Sequence, residues 1–177
     1  MGVDWPSHAV LLAIADANPG HSTRVNDDWY DLLVALLDSK ARFLVVGAHA
    51  LAAHGVPRGT QDLDVWIDGE EANIGRVWQA LTAFGAPLDA LRLTPDDLRH
   101  ANTVIQLGLP PNRIDLLTSL SGIVDFGAAW RARVDQQVRD RLVPFLGREE
   151  LIANKRAAGR LKDLADIEAL GPGPNAG

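Results

Sequence analysis

Residues 43–67 read FLVVGAHALAAHGVPRGTQDLDVWI, and this stretch decides the fold. Its opening belongs to an apolar, β-branched run at 42–46, which predicts a buried strand that ends at a glycine. The small residues at 48–54 predict a short helix, closed by a second glycine. Residues 62–67 predict another strand, which begins with two carboxylates and ends at an Asp-Gly turn pair.

Apolar residues at helical or strand spacing predict the remaining elements. Helices are expected at 5–18, 27–39, 70–84, 149–158 and 161–170, a helix start at Thr94-Pro95, and strands at 103–107, 113–117 and 141–145. This order predicts an α+β protein in which a small mixed β-sheet is flanked by helices, with further helices at both ends. We expect one domain over 1–170, with N-terminal helices in 1–40, a core at 41–170 and a disordered tail at 171–177.

Composition narrows the class of protein. The chain has 177 residues, 47% of them hydrophobic, and a net charge of -6. Its apolar runs are all shorter than the roughly 18 residues that a membrane helix needs, and residues 1–6 do not begin a secretion signal, so we expect a cytoplasmic protein with no membrane partner. The absence of cysteine excludes disulfides, thiolate metal sites and cysteine nucleophiles.

The basic residues are unevenly distributed along the chain. Residues 127–162 hold nine of the 17 Lys and Arg, against four acidic residues. Two interpretations remain open: solvated helix faces, or a surface that meets phosphate. Lysine is rare here, yet Lys155 and Lys162 lie in one segment, and a compact ammonium that meets a phosphate is one reason to keep lysine.

Three aspartates form the candidate reaction centre. Asp62 and Asp64 stand at i and i+2 of a predicted strand, so both side chains point to one face and can share hard cations. A polar strand edge is the alternative for this pair. Asp115 lies inside the apolar strand at 113–117, where a carboxylate is costly unless a metal or a cation satisfies it. A salt bridge with Arg113 is the alternative there.

The position of the acids within the strand separates several enzyme classes. Because Asp62 and Asp64 open their strand, the order disfavours a haloacid-dehalogenase type phosphatase and a nucleotide-sugar glycosyltransferase. Val65 and Trp66 occupy positions where a calcium-binding EF-hand loop needs oxygen ligands. Upstream, the glycine-led start of the predicted helix offers backbone N–H groups that suit a phosphate.

The ordered set resembles the nucleotidyltransferase superfamily that includes polymerase β, over about residues 41–170. That pattern is an apolar strand, Gly followed by Gly or Ser, a short helix, Asp-apolar-Asp/Glu and a third acid on a later strand. The corresponding residues here are Gly47-Ala48, Asp62-Leu63-Asp64 and Asp115. The segments VGAHAL at 46–51, RGTQDLD at 58–64 and LIANKRAAGRLKDLAD at 151–166 are similar to the bacterial abortive-infection toxin branch.

The resemblance implies transfer of a nucleoside monophosphate from a nucleoside triphosphate such as ATP to an acceptor hydroxyl. It implies that Asp62, Asp64 and Asp115 are catalytic and bind two Mg²⁺ ions, for which Mn²⁺ can substitute. The nucleotide would be held by the following residues: Gly47, Ala48, Arg58, Thr60 and Lys155. The acceptor stays open between tRNA, a protein and a small molecule.

Two further interpretations concern the biological role. The toxin-like segments imply a phage-defence or toxin–antitoxin setting, with an antitoxin as partner. Ala48 stands where the superfamily has Gly or Ser, which favours a second possibility: a protein that keeps the fold and binds nucleotide or a partner without turnover.

Overall fold

The computed structural model describes residues 11–12 and 27–173. The strands are β1 Leu11–Leu12, β2 Phe43–Val46, β3 Asp62–Ile67, β4 Val104–Leu107, β5 Arg113–Leu117, β6 Val134–Val138 and β7 Arg141–Phe145. The α-helices are α1 Asp27–Asp38, α2 Gly47–Ala53, α3 Glu71–Phe84, α4 Phe126–Arg131, α5 Arg148–Ala158 and α6 Leu161–Leu170. A short 3₁₀ helix covers Pro95–Arg99.

The strands form one seven-stranded mixed sheet in the order β1-β4-β5-β3-β2-β7-β6. β3 runs parallel to β5 and antiparallel to β2, so it has a hydrogen-bonded neighbour on each side. β2 and β5 are themselves paired on their far sides, with β7 and β4 respectively. The candidate acids therefore lie on central strands, whose backbone positions are fixed by neighbours on both edges.

Apolar side chains from the sheet and the helices form one continuous core. Every residue of β2 is buried, as expected for a strand covered on both faces. Helices α1 and α3 contact each other and bury apolar residues such as Leu32, Leu36, Val77 and Leu81. Burial of each such side chain contributes about 1.5–3 kcal/mol, so this core stabilises the sheet that carries the acids.

A buried amide ties α3 to the sheet. Asn73 is fully buried, and its side-chain amide donates to the carbonyl oxygens of Arg42, at 2.9 Å, and Asp68, at 2.8 Å. Its carbonyl oxygen accepts from the backbone N–H of Arg42 at 2.6 Å. The amide thus adds hydrogen bonds to backbone groups just before β2 and just after β3, next to the backbone hydrogen bond from Asp68 N–H to the Arg42 carbonyl oxygen.

Most sequence-based elements agree with the structure. The α+β class and the mixed sheet are confirmed, and the helices and strands expected after residue 26 are present within one or two residues of their predicted bounds. The helix predicted at 5–18 is wrong at Leu11–Leu12, which pair with β4 as a strand and so satisfy its outer edge. The rest of 5–18 and residues 174–177 of the expected tail lie outside the described residues.

Two elements were not predicted. β6 has the sequence VDQQV and is largely exposed at the sheet edge, so it lacks the apolar signal on which strand prediction depends. α4 has only six residues, too few to show a helical period.

Among helices in the described part of the chain, none combines the length and apolar character required to cross a bilayer.

Candidate functional site

The sheet register brings the three aspartates to one face. β3 and β5 are adjacent and parallel, with Asp64 beside Asp115 and Asp62 beside Arg113. Neighbouring strands lie about 4.8 Å apart, so side chains on paired residues of one face are within contact range. Gln106 on β4 is the antiparallel partner of Asp115, and its side chain lowers the pKa of that carboxyl group. Three strands therefore build one polar patch within an otherwise apolar sheet.

The guanidinium of Arg113 lies between two of the carboxylates. Its Nη2 donates to Asp62 Oδ2 at 2.9 Å and to Asp115 Oδ2 at 3.2 Å. Its Nε is 3.2 Å from Asp115 Oδ1, but without the alignment of a hydrogen bond. Asp62 Oδ1 and Asp115 Oδ1 are buried and have no hydrogen-bond partner among the described residues. The salt bridge that was the alternative for Asp115 is therefore present, yet it leaves acceptor capacity unused.

Asp64 is the least compensated of the three acids. Burial raises its pKa to about 7, with further contributions from the negative charges of Asp115 and Asp62. The positive charges of Arg113 and Lys162 oppose this rise without cancelling it. No hydrogen bond to the Asp64 carboxylate is present within the described residues. Burial and the neighbouring carboxylates disfavour the ionised form of Asp64, and an added cation beside it would stabilise that form.

The pKa of the Asp115 carboxyl group is also raised. Burial raises the pKa of Asp115, whose side chain is 4% exposed, and the charge of Asp62 adds to the effect. Arg113 lowers the pKa of Asp115 by its charge and its hydrogen bond, but burial is the larger influence. A buried carboxyl group that stays basic beside two others is a candidate proton acceptor as well as a metal ligand.

Gly47 is required where the chain turns from β2 into α2. Its φ is +65°, a backbone conformation that side-chain-bearing residues rarely adopt, and a Cβ there would collide with Oδ2 of Asp64. The backbone therefore passes directly against this carboxylate. Ala48 is the next residue of α2, so the Gly47-Ala48 pair that the sequence singled out does lie beside the acids.

The loop before β3 is held by hydrogen bonds of Thr60 to Asp62 and by an ion pair of Arg58 with α6. The Thr60 hydroxyl donates to the Asp62 carbonyl oxygen at 3.0 Å and accepts from the Asp62 N–H at 3.2 Å, which fixes the entry to the strand. Arg58 forms an ion pair with Asp166 of α6, its Nη2 lying 2.5 Å from Oδ1. Thr60 thus lies next to the acids, while Arg58 connects the loop to the C-terminal helices.

Lys155 is buried, and its charge is already paired. Its ammonium lies 2.8 Å from Asp166 and 3.5 Å from Asp163, both on α6 and both buried. Arg160 also pairs with Asp163, at 2.6 Å. Lys155 is therefore not a surface residue, although the resemblance implied that it binds the nucleotide. The structure places its ammonium in the α5–α6 contact and not among the three aspartates.

Sequence reasoning missed Lys162 as a site residue. This lysine is exposed at the start of α6, and its positive charge is close enough to lower the pKa of Asp64. In the described part of the chain it has no ion-pair partner, unlike Lys155. Lysine is rare in this sequence, and this rarity drew attention to both Lys155 and Lys162. It did not indicate which of the two acts on the three aspartates.

Two histidines, one within α2 and one at its C-terminal end, have separate environments. The His49 ring packs edge-on against Trp29, with 4.9 Å between ring centroids, and burial lowers its pKa. Trp29 also donates through Nε1 to the Arg113 carbonyl oxygen at 3.2 Å, so α1 helps to hold β5. The His54 ring contacts the Leu146 carbonyl oxygen at 2.8 Å through Nε2. The His54 ring thus has a polar partner, whereas His49 Nε2 is buried without a hydrogen-bond partner among the described residues.

The donor set suits a magnesium ion even though it is not arranged as a finished cage. Within residues 11–12 and 27–173, no group of three or more acidic or histidine side chains is positioned to hold a metal ion as it stands. Arg113 lies where such an ion would approach Asp62 and Asp115. The donors are nevertheless all carboxylates, two of their oxygens are unpartnered, and hard oxygen ligands are what Mg²⁺ prefers.

Comparison with known proteins adds no identification: no protein-family model and no curated protein matches this chain. The function is therefore inferred from the residues of the site and from their geometry.

Proposed function

We propose that this protein is a Mg²⁺-dependent nucleotidyltransferase with the nucleotidyltransferase fold. The observation that carries the proposal is the cluster of Asp62, Asp64 and Asp115 on adjacent central strands, with the pKa of Asp64 raised to about 7. Such a cluster is costly for the fold without a bound cation. A ligand that brings positive charge would compensate the cluster, and the order of the acids along the chain is that of the superfamily it resembles.

The proposed reaction joins an acceptor hydroxyl to the α-phosphorus of a nucleoside triphosphate. The hydroxyl oxygen forms the new bond, the bond from the α-phosphorus to the bridging oxygen breaks, and pyrophosphate leaves with that electron pair. Asp62 and Asp64 would hold the metal that accompanies the triphosphate, and Asp115 would share a second ion. When bound, magnesium neutralises phosphate charge and lowers the pKa of the acceptor hydroxyl. Asp115 would accept the hydroxyl proton.

The other residues would hold and position the nucleotide. Gly47 and Ala48 carry no bulky side chain, so a phosphate could approach the backbone at this point. The seven-residue helix α2 is not needed for this approach. Lys162, whose charge lowers the pKa of Asp64 and which has no ion-pair partner among the described residues, would meet phosphate charge. Lys155 and Arg58 would act through the α6 acids that they bind, and so orient the segment that carries Lys162.

The rival proposal is a nucleotide-binding protein that has lost turnover. Ala48 favours it, because a serine hydroxyl is missing from the expected phosphate contact. Nucleotide binding without pyrophosphate release would select this alternative. A role as the toxin of a toxin–antitoxin pair, in a bacterial cytoplasm, follows from the resemblance alone and would be tested by co-purification with a partner.

The decisive experiment is incubation with each common labelled nucleoside triphosphate, Mg²⁺ or Mn²⁺, and a cell extract fractionated into tRNA, protein and small molecules. We expect label in one fraction and release of pyrophosphate. Asp62→Asn and Asp64→Asn should abolish both, whereas Asp89→Asn, an exposed acid outside the cluster, should leave them unchanged. Activity of either cluster variant within tenfold of wild type would exclude the metal-dependent mechanism.

A further inference from the structure

Arg113 already supplies a positive charge to two of the carboxylates that the proposed function assigns to metal. Its guanidinium contacts Asp62 at 2.9 Å and Asp115 at 3.2 Å, bridging the two strands. A cation in this position lowers the negative potential that would attract a metal ion. The same contact therefore stabilises the metal-free fold and opposes metal binding.

We infer that Arg113 is an internal counter-ion of the site, which a divalent cation must displace and which then binds the phosphates of the triphosphate. This inference rests on the proposed function, because it takes Asp62 and Asp115 as metal ligands. It gives the arginine two successive partners: the carboxylates before ligand binding, and a phosphate group afterwards.

The quality of the contacts supports displacement. A permanent buried ion pair satisfies its donors and acceptors, because each unpartnered group costs about 1–3 kcal/mol. Here Arg113 Nε, Asp62 Oδ1 and Asp115 Oδ1 are all buried without a hydrogen-bond partner in the described residues. Because Arg113 Nε and Asp115 Oδ1 lie 3.2 Å apart without the alignment of a hydrogen bond, and Asp62 Oδ1 accepts none, the present arrangement leaves room for a better set of partners.

The side chain has a path by which to leave. The Arg113 side chain is 30% exposed, whereas that of Asp115 is 4% exposed, so the guanidinium lies on the solvent side of the buried acid. Its backbone is held in β5 by pairing with β3 and β4 and by the Trp29 hydrogen bond. Displacement therefore requires only rotation of the side chain, with the strand left in place.

The chemistry of the guanidinium fits a phosphate as its second partner. Arginine carries five N–H donors in a planar fork that binds carboxylate or phosphate oxygens in pairs. A metal ion that arrives alone would leave Arg113 close to the site without an anion. A metal ion that arrives with a triphosphate supplies that anion. Arg113 should therefore couple the two ligands, so that each raises the affinity for the other.

The test is Mn²⁺ binding, measured by the electron paramagnetic resonance signal of free Mn²⁺, with and without a non-hydrolysable α,β-methylene nucleoside triphosphate. We expect Arg113→Gln to bind Mn²⁺ alone roughly 5- to 100-fold more tightly than wild type, the usual range of such couplings. The analogue should tighten Mn²⁺ binding much less in this variant than in wild type. Arg113→Lys, which cannot bridge both acids, should lie between the two.

Arg141→Gln is the matched control. It removes an arginine–carboxylate pair, with Asp38, from the β6–β7 hairpin at the other end of the sheet order, and should bind Mn²⁺ as wild type does. Equal or weaker Mn²⁺ binding in folded Arg113→Gln would overturn the inference. If Arg113→Gln does not fold, equal or weaker binding in Arg113→Lys would overturn it instead. The proposed function fails separately if wild type binds no Mn²⁺ even with the analogue, or if Asp62→Asn binds it equally well.

Discussion

At the scale of single residues, Asp64 determines how the metal-free protein responds to pH. The unfolded carboxyl group has a pKa near 3.8, and the folded one about 7. Between these values the native state keeps the proton and the unfolded state has lost it, so stability falls as pH rises from about 4 to about 7. The groups facing Asp64 are Asp62 and Asp115, which raise its pKa, and Arg113 and Lys162, which lower it.

Asp64→Asn should therefore stabilise the metal-free protein. We expect a gain on the order of 1–3 kcal/mol near pH 8, because the amide cannot ionise, and no gain below pH 4, where the wild-type group is protonated in both states. Urea unfolding in the presence of EDTA at several pH values measures this. Asp89→Asn should show no such pH-dependent gain. An Asp64→Asn variant that is less stable than wild type near pH 8 would mean that the ionised carboxylate is satisfied by the fold.

Gly47 makes a second prediction at this scale. Gly47→Ala should cost about 1–3 kcal/mol, since it combines a left-handed backbone conformation with a collision against Asp64. It should also weaken Mn²⁺ binding by moving that carboxylate. Gly75→Ala, in the exposed middle of α3 with open space around it, is the control and should gain about 0.5–1 kcal/mol. Equal effects of the two substitutions on thermal unfolding and on Mn²⁺ affinity would refute the assignment.

At the scale of elements, the α5–α6 contact separates the roles of the two lysines. Lys155→Ala should destabilise the protein by about 3 kcal/mol, because it leaves Asp166 and Asp163 buried with less compensation. Lys162→Ala should leave stability within about 0.5 kcal/mol, as expected for an exposed residue, but weaken triphosphate binding. Urea unfolding and a fluorescent nucleotide titration measure the two effects. If Lys155→Ala weakens triphosphate binding and Lys162→Ala does not, the phosphate contact would be assigned to Lys155.

The same two helices show where sequence reasoning reached its limit. Lys155 follows Leu151 by four residues, and both lie on the buried side of α5. The partner of a buried ammonium depends on how α6 folds back, which the spacing within α5 does not contain. The acid pair on β3 follows from a local period of two, whereas the pairing of Asp64 with Asp115 depends on strand order, which no local pattern encodes.

At the scale of the whole molecule, metal and nucleotide should stabilise the fold together. A ligand that binds only the native state adds about 2.7 kcal/mol at a concentration 100 times its Kd. Mg²⁺ with a triphosphate should therefore raise Tm by more than the sum of the shifts from each alone, since phosphates are repelled by bare carboxylates. Differential scanning fluorimetry measures this, with Asp62→Asn as the control expected to lose the joint shift. Purely additive shifts would count against a shared site.

The class of fold was accessible from sequence because apolar periodicity sets the type and order of most elements. Apolar periodicity did not predict the edge strands β1 and β6. These strands are defined by their pairing with β4 and β7, which is a tertiary property. The central strands, by contrast, carry their signal in continuous apolar runs. The part of the fold that positions the acids was thus the part most visible in the sequence.

The parallel pairing of β3 with β5 also has a kinetic consequence. Asp62 and Arg113 are separated by 51 positions along the chain, so their contact closes a long loop, and loop closure of this kind is slow and entropically costly. Until this loop closes, Asp115 is far from Asp62 and Asp64, and all three carboxylates are hydrated. Repulsion between the acids of β3 and Asp115 then opposes loop closure. Arg113, which pairs with β3 in the same register, reduces this repulsion through its positive charge. In this view the arginine acts as a built-in folding aid before it has any ligand to meet.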